Sequence, residues 1–127
     1  MTAVPEFSAL DDDAIRRRVL PQERPAVLRG LVKDWPAVEQ ERESPAALVQ
    51  YLNRFDSGKP VDALLTAPEL DGRIFYDQTM AGFNFVRNRL PLSAVAEQVL
   101  RYARFPRSPA VAAQSALIRD CLPGFSA

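Results

Sequence analysis

Residues 24–36 read Arg-Pro-Ala-Val-Leu-Arg-Gly-Leu-Val-Lys-Asp-Trp-Pro, and the fold assignment turns on them. Pro25 has no N–H to donate and biases Arg24 away from helix. Residues 26–32 are then a short, mostly apolar run of strand length, closed by the only tryptophan, Trp35, and by Pro36. The pattern predicts one buried strand with an aromatic plug at its exit.

Upstream, Ser8 followed by Asp11 resembles a capping box with aspartate in place of Glu or Gln. Asp11–Asp13 ahead of Arg16–Arg18 suits the dipole of a first helix, with Leu10, Ile15 and Val19 as its contact line. The three arginines read as a solvated helix end, not a phosphate site. Downstream, Ser44-Pro45 is an N-cap with proline at the first helical position. Leu48, Tyr51, Leu52 and Phe55 follow at helical spacing until Asp56-Ser57-Gly58 stops them. Residues 59–67 return to extended character with Val61, Ala63 and Leu65 on one face, and residues 73–76 form another short strand after turn-forming residues 68–72. Phe83 and Phe85 share one side of the next stretch, with Asn84 opposite. A further helix starts at Ser93 as N-cap and buries Val95, Val99, Leu100 and Tyr102. Residues 110–115 fit strand or helix equally on pattern alone. Pro123-Gly124-Phe125-Ser126-Ala127 reads as the middle of a connection, as in the front part of something longer. The chain is one partial domain of the α+β class, spanning residues 1–127.

Composition excludes several functions. At 127 residues the chain fits one domain, and its 47% hydrophobic and 25% charged residues are ordinary for a globular protein. Sixteen basic and sixteen acidic residues cancel, which argues against nucleic-acid binding. The single cysteine, Cys121, fits a reducing compartment and a packed thiol. There is no apolar run of spanning length and no signal-peptide pattern, so the expectation is a cytoplasmic protein without a membrane partner. The decisive count is zero histidines. A serine–histidine triad, an imidazole zinc site and a 2-His-1-carboxylate iron site are all out of reach of these residues, and one thiol cannot build a thiolate metal site. No catalytic residue and no metal ligand is assigned.

Two stretches carry candidate chemistry. Gly82-Phe83-Asn84-Phe85-Val86 partly matches an aromatic RNA-recognition strand, but Ala81, Asn84 and Asn88 depart from it; core packing of the two phenylalanines is the better account. Asp77 beside Tyr76 is the carboxylate best placed for acid–base work, although an aspartate just past a strand is more often a turn residue.

Three stretches together resemble the amino-terminal part of the cupin-like, JmjC-type oxygenases, the group that includes the asparaginyl hydroxylase of hypoxia-inducible factor. Arg24-Pro25-Ala26-Val27-Leu28-Arg29-Gly30 through Trp35-Pro36 looks like that family's first strand. Phe75-Tyr76-Asp77 through Met80-Ala81-Gly82-Phe83-Asn84-Phe85 looks like the second strand and the segment before the packing helix. Residues 110–115 with Leu122-Pro123-Gly124-Phe125 look like the strand and loop leading into the barrel. The resemblance covers residues 24–127.

It implies a double-stranded β-helix, or jelly roll, that uses Fe(II) and 2-oxoglutarate as a dioxygenase or hydroxylase, with iron on a His-x-Asp pair and a distant histidine. This sequence departs from that pattern because it has no histidine. The implied architecture is therefore a strand-and-helix support layer whose metal-binding barrel core is absent from this chain, inactive alone. The resemblance further implies that residues 110–115 are strand lining an oxoglutarate pocket, with Val111 near a position often held by tyrosine. Gln114 and Ser115 are then the cofactor-side polar residues, and Tyr76 and Asp77 lie on the side of a protein or small-molecule substrate. Uncovered strand edges would favour a homo-oligomer. The alternatives are a truncated, non-catalytic protein-interaction module and, behind it, RNA binding through Phe83 and Phe85.

Overall fold

A seven-residue strand, β3 (Pro60–Thr66), is the centre of the molecule. It is flanked on both sides by antiparallel partners, β4 (Phe85–Pro91) and β5 (Ala110–Gln114), in the order β4-β3-β5. The computed structural model describes residues 3–125, so Ser126 and Ala127 at the end of the proposed connection lie outside the described residues. Around the sheet the chain runs β1 (Glu6–Ser8), α1 (Asp12–Ala14), β2 (Val27–Arg29), α2 (Pro36–Glu43), α3 (Pro45–Asn53), β3, β4, α4 (Leu92–Tyr102), β5 and α5 (Ile118–Cys121). A π-turn over Ile15–Val19 and a 3-10 turn over Leu20–Gln22 extend α1. The mixed helix and strand content is that of an α+β domain.

One face of the three-stranded sheet holds the core. Val61 and Ala63 of β3 pack with Val95 of α4, Cys121 of α5 and Leu122. Leu52, Phe55, Leu90, Val111 and Phe125 close around them, and Tyr51, Phe55 and Phe125 meet edge to face at centroid distances of 5.2–6.1 Å. Antiparallel partners share a face, so Asp62, Arg89 and Gln114 form one row on the opposite side, and Leu64, Arg87 and Ala112 the next. Among the described residues the helices of the core cluster lie on the first face; on the second, Leu64 and Thr66 are nonetheless buried, at 4% and 3% exposure.

Several sequence expectations are corrected. The strand in residues 24–36 is only Val27–Arg29, pairing parallel with Glu6–Ser8. Gly30 at φ 72 turns the chain away after Arg29, and Trp35 is 43% exposed, so no aromatic plug forms. Trp35 instead precedes Pro36 at the start of α2, a helix whose sparse apolar residues give little periodic signal. Ser8 does not cap α1, because its backbone belongs to the β1–β2 ladder; the cap is Asp11, whose carboxylate accepts the Ala14 N–H at 2.7 Å. Ser44 caps α3 as its sequence indicates, accepting the Ala47 N–H at 3.0 Å. Ser93 does not cap α4. It lies inside the first turn and donates its N–H to Asp56 at 2.9 Å, so an aspartate 37 positions upstream caps the helix. Residues 73–76 form no strand and share a single bridge, Tyr76 with Phe83. Residues 110–115, ambiguous on pattern, are strand up to Gln114, where Ser115 turns to φ 56.

The molecule exposes 9402 Å². A self-contained monomer of this mass exposes about 6,700 Å². Among the described residues no large side chain falls below 2% exposure, while Phe75, Met80, Phe83, Phe105 and Val86 each stand more than half exposed.

Candidate functional site

The open face of the sheet is roofed at one end by the loop over residues 73–84. Asn84 fastens this loop: its side-chain amide donates to the Arg73 carbonyl and its side-chain oxygen accepts the Phe75 N–H, each at 2.9 Å. With Asn84 committed to one side, Phe83 and Phe85 lie together on the other. Tyr76 stacks on Phe83 at 5.4 Å and Phe83 on Phe85 at 5.0 Å, with interplanar angles of 22° and 21°. Phe83 is nonetheless 55% exposed, which corrects the expectation that it is a core side chain. Its two stacking neighbours cover only part of its ring.

Asp77 sets the turn beneath the ladder. Its Oδ1 accepts the Thr79 hydroxyl at 2.6 Å and the Thr79 N–H at 2.9 Å, while its own N–H donates to the Gly82 carbonyl at 3.0 Å. The Thr79 hydroxyl, helped by backbone N–H groups of the turn and opposed by slight desolvation, holds the Asp77 carboxyl below its ordinary value. Gly82 lets the turn pass close to Asp77, since a Cβ there would sit 2.6 Å from the Asp77 Oδ2 and force that carboxylate to move.

Tyr76 and Phe85 meet Leu64, Arg87 and Gln114 around a cavity of about 330 Å³ on this face. Tyr76, expected on the substrate side, and Gln114, expected on the cofactor side, thus come together. Asp77 stays in the turn with Thr79, and Ser115 lines a smaller recess of about 180 Å³ with Lys59, Asp62, Arg89 and Gln114. Val111 packs on the core side, so the residue sharing Gln114's face is Ala112. Arg87 is the residue that sequence reasoning passed over. Arg89 beside it is tied to Asp62 at 3.2 Å and to the Pro60 carbonyl at 2.9 Å, whereas among the described residues Arg87 has no carboxylate partner. Phe85, Arg87 and Arg89 alternate along β4, and that period of two was the available signal for a charged face. Together the cavity offers a phenol, an amide and a free guanidinium beside apolar rings, a set suited to an organic ligand with a carboxylate or amide group.

Residues 12–127 match the cupin-like domain family. The chain belongs to that family. No curated protein and no solved structure gives a significant match. Within this cupin-like chain the donors for a facial triad do not fit: there is no histidine, and among the described residues no three His, Cys, Asp or Glu side chains converge as a metal site would need. No helix of the described residues is long and apolar enough to cross a membrane.

Proposed function

We propose that the chain is the amino-terminal portion of a JmjC-type, Fe(II)/2-oxoglutarate-dependent oxygenase, and that its three-stranded sheet braces a catalytic barrel built by other residues. The observation that carries this reading is the one-sided covering of the β4-β3-β5 sheet. Helices close one face, while on the other Leu64 and Thr66 of β3 are buried but the part lined by Tyr76, Arg87 and Gln114 is open, in a molecule with a large excess of exposed surface. In this reading Tyr76 contacts substrate, Arg87 pairs with a ligand carboxylate, and Gln114 donates from the sheet floor. Ser115 stands at the rim on the cofactor side. Asp77 acts through the turn it holds, shaping the Tyr76 wall. Metal ligands would have to come from outside residues 1–127.

Reading the coding frame beyond codon 127 tests this. The expected result is a continuation containing His-x-Asp and a later histidine, and the 127-residue chain alone should release no succinate from 2-oxoglutarate with Fe(II). A stop codon directly after Ala127 in a stably expressed protein would overturn it. A second reading, a non-catalytic interaction module, is favoured by one specific feature, the uncovered edge of β5.

A further inference from the structure

We propose that the 127-residue chain forms a two-fold dimer by antiparallel pairing of β5 with β5 of a second copy, giving a continuous sheet in the order β4-β3-β5-β5-β3-β4. This does not rest on the oxygenase reading, so the two can fail separately.

The sheet has two outer strands, and they differ in kind. β4 carries Arg87 and Arg89 around Asn88, so two β4 strands paired about Asn88 would set arginine opposite arginine. Charged residues of this sort are how a natural sheet edge resists pairing. β5 reads Ala-Val-Ala-Ala-Gln, with no charge, no proline and four of its five residues exposed. Among the described residues its outer side has no strand neighbour and receives no loop backbone hydrogen bond. Such an edge leaves a row of N–H and C=O groups that another extended strand can satisfy.

Overlap of two five-residue antiparallel strands is greatest when the pair is centred on Ala112. Ala110 then faces Gln114 of the other copy, Val111 faces Ala113, and the two Ala112 residues meet on the axis. Every side chain in the seam is small or neutral, so nothing holds the strands apart. Beside β5, Val99 at 47% exposure and Tyr102 line a groove of about 600 Å³ with Ala110 and Val111, rimmed by Glu69, Asp71 and Arg107. A standard interface takes about 800 Å² from each partner, and the chain exposes roughly 2,700 Å² more than a self-contained monomer of its mass. Closure of this sheet follows from the same chemistry: within it the dimer leaves only arginine-bearing β4 edges outside, so addition along the sheet stops at two copies.

Sedimentation velocity of the 127-residue chain across micromolar concentrations should give the mass of two chains. Ala112→Lys and Ala112→Glu should each give one chain with the far-ultraviolet circular dichroism unchanged, and mixing them should restore the two-chain species. Ala112→Cys, which barely changes side-chain volume and keeps the test decisive if the charged variants unfold, should form a disulfide-linked dimer on mild oxidation. Arg87→Cys should not. A single-chain mass for the unaltered protein, a dimer that survives both charged substitutions, failure of Ala112→Cys to cross-link, or open-ended polymers would each overturn the proposal.

Discussion

Asp56 shows how one side chain can join elements that the sequence keeps apart. Burial works against its ionised form, but hydrogen bonds from the Ser93 side chain and from the Gly58 and Ser93 N–H groups outweigh that and hold its carboxyl below the ordinary value. A carboxyl depressed in the folded state adds stability above its unfolded pKa and loses it as pH falls through the folded one. Melting temperature should therefore drop as pH falls below about 4, and Asp56→Asn should flatten that part of the profile. At neutral pH, Asp56→Ala should cost about 1 kcal/mol, the usual effect of losing a helix cap, measured by urea denaturation. Gly82→Ala tests a different constraint. Its Cβ would displace the Asp77 carboxylate, loosening the turn and separating Tyr76 from Phe83, so near-ultraviolet circular dichroism should weaken while far-ultraviolet helix signal persists. At this scale the sequence was partly legible. Ser44 is a local cap three residues from its partner N–H and was read correctly, whereas Asp56 reaches across 37 positions and no local pattern encodes it.

Among the elements, the strong period-two and period-3.6 segments were legible and the short ones were not. β3, α3 and α4 follow their apolar spacing. β5 was not assignable from pattern, because Ala-Val-Ala-Ala-Gln alternates in neither period; it is strand because β3 needs a second partner. α2 was missed for its polar sequence, although Trp35-Pro36 repeats the proline-first start seen at Ser44-Pro45. The buried face of the central strand and its helices is where substitution should be most costly. Leu122 is 3% exposed in the cluster with Val61 and Val95, so Leu122→Ala should lose about 2–4 kcal/mol, read as a fall in the denaturation midpoint. The exposed Arg17–Asp13 pair, by contrast, should be nearly silent on removal.

For the molecule as a whole, the family was legible from the order of three weak motifs, and the match over residues 12–127 agrees with it. The candidate site was legible only in pieces. Tyr76 and Gln114 are 38 positions apart and meet only because β3 brings the loop and β5 onto one face, and Arg87 enters the same cavity by the register of β4 with β3. If the chain continues into an active oxygenase, Arg87→Ala in that longer protein should raise the KM for its carboxylate-bearing ligand about tenfold or more, the effect of losing a charge-assisted hydrogen bond worth about 1.5–3 kcal/mol, with melting temperature little changed.

The central position of β3 also has a cost in time. Its contact with Ala110 spans 44 positions, so the strand is translated well before the partner that completes its sheet. At ordinary synthesis rates of about 5–20 residues per second, that interval is roughly 2–9 s. During it, the apolar run Val-Asp-Ala-Leu-Leu-Thr of β3 has an unpaired side while the chain is still on the ribosome. Codon choice between residues 66 and 110 therefore sets how long the nascent protein presents a bare strand to its neighbours.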